Sequence, residues 1–164
     1  MSPTSPRSRT FTWEDPVQLA ASAMQLSGLE FLTRIADGTL PGPPIAALMG
    51  FAVVEVERGR VVFAADPAEW MFNPIGSVHG GVAATLLDSC MGCAVHSTLP
   101  AGAGYTTTDL HIRYHRGMSA DTGRVRAEGL VTHSGRRQVT TEGRVIVEAT
   151  GKLVATGTSA CMLL

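Results

Sequence analysis

The residue types best suited to chemistry lie in one short stretch, between Asn73 and Asp88. His79-Gly80-Gly81 opens an apolar segment, and Asp88 follows nine residues after the histidine, among leucine, cysteine and methionine. Glycines at a helix start let a ligand approach the backbone, and free N–H groups there favour an anion or a developing oxyanion. A buried aspartate is costly unless it is paired or used, so Asp88 is either a catalytic carboxylate or a group that bonds a neighbouring core segment.

Helical geometry separates the two ends of this stretch. Gly80 and Asp88 are eight residues apart, which corresponds to about 12 Å along a helix at roughly 1.5 Å per residue. One reacting carbonyl cannot touch both groups on the same helix. If both act on it, Asp88 must come from a second copy of the chain, so the spacing predicts an obligate homodimer with its active site at a two-fold interface.

The N-terminal part of the chain indicates an extension to the domain that holds these residues. Residues 1–12 are rich in proline, serine, threonine and arginine, which predicts a mobile tail. Asp15-Pro16 is typical of an N-cap followed by proline, and apolar residues at three- and four-residue steps predict an amphipathic helix that ends near Asp37. We therefore divide the chain into residues 1–40, a tail and helix, and residues 41–164, a single domain.

Strands and one long helix are predicted after residue 50. A hairpin is expected over residues 51–57 and 60–65, and residues 80–98 predict a helix that is apolar on nearly every side and therefore buried. An antiparallel sheet wrapped around one central helix, an α+β fold, satisfies this order because the apolar face of the sheet needs a cover. The remaining strands are predicted over residues 105–116, 123–133, 137–148 and 152–162.

The chemistry-bearing stretch resembles the signature of a known enzyme family. Its pattern, Asn73-Pro-Ile-Gly76-Ser-Val-His79-Gly-Gly followed by Asp88, is similar to that of the PaaI-type hot-dog thioesterases of the phenylacetate pathway, and the similarity extends over residues 45–163. The resemblance implies the hot-dog fold, homodimers paired into homotetramers, and hydrolysis of an aryl- or alkyl-acyl-CoA without a metal. CoA is then part of the substrate, so no cofactor is expected.

The resemblance also implies roles for individual residues. Gly80 corresponds to the backbone N–H donor that polarises the thioester carbonyl, and Asn73 to a polar residue that places the carbonyl or the attacking water. Asp88, from the partner subunit, corresponds to the nucleophile or the general base, two uses that need the same position. Thr107 corresponds to a hydroxyl that can hold a water near that carboxylate. For His79, orienting the loop by hydrogen bonding is favoured over transferring a proton.

A second group of candidates lies at a predicted turn, His133-Ser-Gly135-Arg136-Arg137. In some relatives this position contacts the phosphates of CoA, and arginine pairs well with phosphate while a glycine turn lets backbone N–H groups join in. The alternative is a pair of solvated arginines on a hairpin. Together with Gly81 at the helix start, these residues complete the predicted substrate-binding set.

Composition limits the other functions that this chain could have. Its net charge is −1 and no basic recognition helix stands out, so neither nucleic acid nor an anionic membrane is an expected partner. Three cysteines, an odd number in a chain without a secretory segment, predict a reduced, cytoplasmic protein. Cys90 and Cys93 have the spacing of a redox pair, but their place inside an apolar helix favours a core role. No metal site is expected.

Two rival functions would use the same fold. A hot-dog domain that senses acyl-CoA without cleaving it would have no use for Asp88 at this position, and it would need a DNA-binding module. A hot-dog hydratase would need a catalytic histidine and an acid at a spacing different from that of His79 and Asp88. The sequence therefore predicts an acyl-CoA thioesterase, with the non-catalytic acyl-CoA-binding protein as the alternative.

Overall fold

The computed structural model describes residues 6–164, which form a sheet wrapped around a long helix and preceded by three shorter helices. The predicted bounds of the first two strands are confirmed, and the ends of the other strands differ from the prediction by at most two residues. The helices are α1 (Pro16–Gln25), α2 (Gly28–Ala36), α3 (Pro44–Met49) and α4 (Gly80–His96). The strands are β1 (Phe51–Glu57), β2 (Arg60–Ala65), β3 (Tyr105–Tyr114), β4 (Val125–Ser134), β5 (Gln138–Val147) and β6 (Leu153–Leu163).

All six strands form one antiparallel sheet in the order β1-β2-β4-β5-β6-β3. The outermost strands, β1 and β3, are therefore its edges. α4 packs on the inner face, chiefly against β4, β2 and β5. Side chains alternate between this face and the outside, as Val125 and Ala127 of β4 show by being fully buried. The predicted α+β hot-dog fold, a sheet around a central helix, is confirmed.

A row of three glycines lets α4 lie close to the middle of the sheet. Gly129, Gly143 and Gly157 are paired across β4, β5 and β6. A Cβ atom on Gly129 would stand 2.4 Å from the backbone of Cys90, and a Cβ on either of the others would come within 3.3 Å of α4 side chains. Since interiors are close-packed, the row sets the depth of α4 in the sheet and with it the position of Asp88.

The sequence predicts one N-terminal helix, and the structure shows two, α1 and α2, with a break at Ser27. α2 begins against the end of α4, because the Gly28 N–H donates to the Leu99 carbonyl at 3.0 Å. A Cβ on Gly28 would stand 1.7 Å from the carbonyl oxygen of His96, so this approach requires glycine. The segment that follows contains the short helix α3, which starts at Pro44, a position that suits proline.

Residues 6–12 have no regular secondary structure, yet they are anchored to the domain. The Arg9 guanidinium donates to the carbonyls of Ala47 and Leu48 at 2.9 and 2.6 Å and lies 3.8 Å from the ring centroid of Trp70. The predicted mobile tail is therefore wrong for these residues, and its first part, residues 1–5, lies outside the described residues. Among residues 6–164, no helix is both long and apolar enough to cross a membrane.

Candidate active site

The loop before α4 is held in shape by Asn73. Its side-chain oxygen accepts hydrogen bonds from the backbone N–H groups of Ile75 and Ser77, and its amide donates to the Ser77 hydroxyl at 2.9 Å. Such side-chain-to-backbone bonds fix a turn, and Gly76 inside it has a φ of 83°, a left-handed conformation that favours glycine. Asn73 therefore positions the start of α4, while its contact with a carbonyl or a water stays a prediction.

His79 is the N-cap of α4. Its Nδ1 accepts a hydrogen bond of 2.9 Å from the Gly81 N–H, so this nitrogen carries no proton. The Gly81 N–H could make its predicted contact with a ligand only by giving up this bond to His79. The Gly80 N–H has no acceptor among residues 6–164, and it lies at the positive end of the α4 dipole. The structure therefore leaves Gly80 as the donor that could bind an oxyanion.

Tyr114, at the end of β3, covers Gly80. Its hydroxyl donates to the Gly80 carbonyl at 3.3 Å, and its ring lies 3.3 Å from where a Gly80 Cβ would be. This contact was not among the predictions from the sequence, and it joins residues 34 apart in the chain. A signal was present, because strand alternation puts Tyr114 on the inner face with Leu110 and Ile112.

Asp88 lies on the side of α4 that the sheet does not cover. The sequence predicts a buried aspartate, but the side chain is exposed in the single chain, so that prediction is wrong. The Thr107 hydroxyl donates to Asp88 Oδ1 at 3.1 Å. The register of β3 shifts between Thr107 and Asp109, which is a bulge of the kind that redirects side chains next to active sites. The structure thus brings Thr107 and Asp88 together, as half of a possible site.

Small side chains line the uncovered side of α4 around Asp88. They recur at three- and four-residue steps, and none of them is fully buried. α4 is unbroken from Gly80 to His96, so Gly80 and Asp88 are about 12 Å apart along one chain. Each chain therefore carries two half-sites that cannot meet on one carbonyl. The small residues on this side are Gly81, Ala84, Thr85 and Ser89.

A cavity of about 610 Å³ opens beside Asp88, and Asp88 and Thr107 both line it. We call it the α2–α3 chamber, because α2 and the start of α3 form one side, opposite α4 and the beginning of β3. The rings of Phe31, His96 and Tyr105 contact one another in tilted pairs along its wall, with centroid separations of 5.4 and 5.6 Å. No local sequence pattern predicts this chamber, because its walls come from segments far apart in the chain.

Burial controls protonation around the chamber. It lowers the pKa of His96 and raises the pKa of Tyr105, so both rings are uncharged at neutral pH. Burial, aided by the charge of Asp88, raises the pKa of Cys93 to about 12, and burial is also the main cause that raises the pKa of Cys90. Protonated thiols are poor nucleophiles, which disfavours a redox role for this pair.

The predicted phosphate-binding turn joins β4 to β5. The Gly135 N–H donates to the Gln138 carbonyl at 2.8 Å and closes the turn. His133, Arg136 and Arg137 are exposed, and neither arginine forms an ion pair with a described residue. Nor do three histidine, cysteine or carboxylate side chains converge on a metal site anywhere in the described chain.

This turn lies at the end of the sheet where β3 begins. Gln138 is paired with Met162, and Met162 is paired with Thr106. Two strand spacings of about 4.8 Å each put the turn on the order of 10 Å from Thr106. The turn therefore lies near the half-site formed by Thr107 and Asp88, and not near the Gly80 end of α4.

Comparison with known proteins identifies relatives of this architecture. A family model described as the thioesterase superfamily matches residues 75–154, which contain α4 and the strands β3 to β5. A solved structure described as a protein from the thioesterase superfamily is 32% identical, with 84% of this chain and 98% of that chain covered and a TM-score of 0.66. Conserved protein PA5202 from Pseudomonas aeruginosa is 31% identical, with 75% and 95% covered and a TM-score of 0.69.

Two further relatives carry functional names. The phenylacetic acid degradation protein PaaI from Thermus thermophilus is 28% identical, with 74% of this chain and 100% of that chain covered and a TM-score of 0.67. The protein VNG_1336C of Halobacterium salinarum, whose name suggests an esterase, is 48% identical over 48 residues. That match covers 28% of this chain and 32% of the relative, so the chain spans only about a third of this curated relative's length.

Proposed function

The chain belongs to the thioesterase superfamily, and on this ground we propose that it hydrolyses acyl-CoA thioesters to a free acid and CoA. The observation that carries the proposal is the setting of Asp88. Its carboxylate is exposed, held by Thr107, and placed at a largely apolar chamber. It lies on a helix whose first residue has an N–H with no acceptor among residues 6–164. A carboxylate and an oxyanion donor are the two groups that thioester hydrolysis needs from a protein.

We place the reacting thioester between two copies of the chain. β3 is a ten-residue edge strand, and the groups on its outer side are available to pair with a second sheet. Antiparallel pairing of two β3 strands would bring two α4 helices side by side, and the small residues around Asp88 allow them a close approach. Gly80 of one subunit then faces Asp88 of the partner subunit. Pairing of two such dimers into a homotetramer, which the resemblance implies, belongs to the same proposal.

The chemistry at this site has two routes that share the same atoms. As a general base, Asp88 takes a proton from water, and the water oxygen attacks the thioester carbonyl carbon. As a nucleophile, Asp88 attacks that carbon itself and forms an anhydride that water then opens. In both routes the Gly80 N–H stabilises the oxyanion, the C–S bond breaks, and the CoA thiolate takes up a proton. One water is consumed, and an acid and a thiol are released.

The nucleotide end of CoA is assigned to the turn between β4 and β5. Arg136 and Arg137 are exposed and free of ion pairs with described residues, so they are available for phosphate. The turn lies near the start of β3, at the same end of the sheet as Thr107. A CoA thioester at Asp88 could therefore extend toward the two arginines.

A thiol-release assay on aryl- and alkyl-acyl-CoAs, with wild type and Asp88→Asn side by side, tests this proposal. We expect the variant to keep the wild-type oligomeric mass in light scattering and to lose at least about a hundredfold in kcat, the scale of a lost general base. Wild-type turnover by the variant would remove Asp88 from the mechanism. If the wild type binds CoA esters but hydrolyses none, the sensing function replaces the thioesterase.

A further inference from the structure

The α2–α3 chamber adjoins the carboxylate that the proposed thioesterase reaction uses. Asp88 and Thr107 line it, so a substrate carbonyl at Asp88 would lie beside the chamber. With a volume of about 610 Å³, the chamber falls in the range of roughly 300–1,000 Å³ that small-molecule sites occupy. An acetyl group would leave most of it unfilled.

The chamber's lining is apolar and contains no cation. The side chains of Phe31, Ile35, Phe51 and Phe63 line it, and the charged residues among its lining are two aspartates, Asp37 and Asp88. His96, which also lines it, is neutral because burial lowers its pKa. Covering apolar surface with an apolar group is favourable, whereas a carboxylate there would meet two acidic groups and no cationic partner.

The side of the chamber opposite α4 lies outside the part of the chain that the family model matches. α2, α3 and β1 all precede residue 75, where that match begins. α2 is fixed against α4 by the contact of Gly28 with Leu99, so this wall is built into the fold. The N-terminal segment therefore supplies one wall of the chamber, facing the wall from α4 and the beginning of β3.

We propose that the α2–α3 chamber binds the acyl group, that Ile35 of α2 limits its length, and that the substrates are thioesters of uncharged, apolar acyl groups larger than acetyl. This inference rests on the proposed thioesterase function and names its substrate class. Aryl-acetyl and medium-chain alkyl groups satisfy the chamber's chemistry. Acyl groups that end in a carboxylate do not.

Binding of non-hydrolysable thioether analogues of CoA, measured by titration calorimetry, separates this inference from catalysis. The probes are the acetyl, octanoyl, phenylacetyl and succinyl analogues. We expect the wild type to bind the octanoyl and phenylacetyl analogues at least about thirtyfold more tightly than the acetyl analogue, because each buried methylene adds affinity. The succinyl analogue is expected to bind no better than acetyl.

Two tryptophan variants on α2 provide the matched comparison. Ile35→Trp fills the chamber and is expected to bring octanoyl binding to within about threefold of acetyl binding. Thr33→Trp adds the same ring to an exposed position of α2 that does not line the chamber, and it should keep the wild-type ranking. If Ile35→Trp retains the wild-type preference for octanoyl, or if the wild type has no such preference, the inference is overturned.

If Ile35→Trp misfolds, it will no longer bind the acetyl analogue either, so a second variant with a smaller change is needed. Ile35→Ala enlarges the chamber, and it should shift the preferred chain length from octanoyl toward dodecanoyl. An unchanged ranking in that variant would refute the inference. Because these are binding measurements, failure of the thioesterase proposal appears separately, as a wild type that binds the octanoyl analogue but releases no thiol from octanoyl-CoA.

Discussion

The Thr107 hydroxyl donates to Asp88 Oδ1 at 3.1 Å, and this bond joins an edge strand to the central helix. It occupies one oxygen of the carboxylate and leaves Oδ2 without a hydrogen-bond partner within residues 6–164. A carboxylate held on one side and free on the other is oriented for proton transfer or attack. The bulge that follows Thr107 in β3 is the local feature that permits this contact.

Removing this hydroxyl should weaken catalysis without affecting the fold. Thr107→Val keeps the shape of the side chain, and it is expected to lower kcat about tenfold, since a hydrogen bond to a charged group contributes roughly 1.5–3 kcal/mol. Thr107→Ser keeps the hydroxyl and should stay within about threefold of wild type. Steady-state kinetics on one acyl-CoA measure kcat for both variants. Equal kcat values for the valine and serine variants would contradict a role of the Thr107 hydroxyl in catalysis.

The Gly80 N–H can be deleted with little disturbance of α4. Gly80 is the first residue of the helix, where proline is favoured, and His79 has a ψ of 136°, which suits a residue before proline. Gly80→Pro is expected to lower kcat by about a hundredfold or more, the effect of losing an oxyanion donor. Gly80→Ala retains the N–H and adds only a Cβ near Tyr114, so its kcat should fall much less. Equal losses of kcat in the two variants would indicate that crowding against Tyr114, and not loss of the N–H, causes the effect.

The glycine row makes a prediction about stability. Gly129→Ala would place a Cβ 2.4 Å from the backbone of Cys90, and we expect it to lower the free energy of unfolding by about 1–3 kcal/mol. Gly117→Ala is the control, since no atom of residues 6–164 lies within 4 Å of its would-be Cβ. Chemical denaturation measures both, and a Gly129→Ala protein as stable as the control would show that α4 can move away from the sheet.

Substrate recognition at the turn can be separated from chemistry. Arg136→Ala combined with Arg137→Ala is expected to raise KM for an acyl-CoA about tenfold, by loss of charge-assisted phosphate contacts. KM for the corresponding pantetheine thioester, which lacks the nucleotide, should not change. Arg58→Ala removes an exposed arginine from the turn between β1 and β2 and serves as control. A rise in KM that is equal for both substrates would argue against phosphate contact.

Local periodicity explains how much of the fold could be predicted. The bounds of β1 and β2 and the start of α4 follow from alternation, turn residues and the His79-Gly80 helix start, all of which act over a few residues. The break between α1 and α2 was missed because it depends on the approach of Gly28 to His96, far along the chain. Gly28 carried a weak signal, since glycine inside a helix pattern often marks close packing.

The part of the site that local sequence patterns record could also be predicted. The motif from Asn73 to Asp88 is contiguous, so its residues could be named, and the structure places His79 as a cap and Thr107 on Asp88. The exposure of Asp88 could not be foreseen. The sheet covers only one side of α4, and a helix that is apolar on nearly every side does not indicate which side that is. The α2–α3 chamber and the Tyr114 contact depend on tertiary packing that no local pattern records.

The shared active site is tested most directly by mixing two inactive variants. Asp88→Asn lacks the carboxylate and Gly80→Pro lacks the oxyanion donor, so each homodimer alone should be nearly inactive. After subunit exchange, half of the dimers are mixed, and in a two-fold dimer one of their two sites is intact. The account predicts recovery of about a quarter of wild-type thiol release in a random mixture. A mixture no more active than its components would contradict it, because a site built within one chain cannot be restored by exchange.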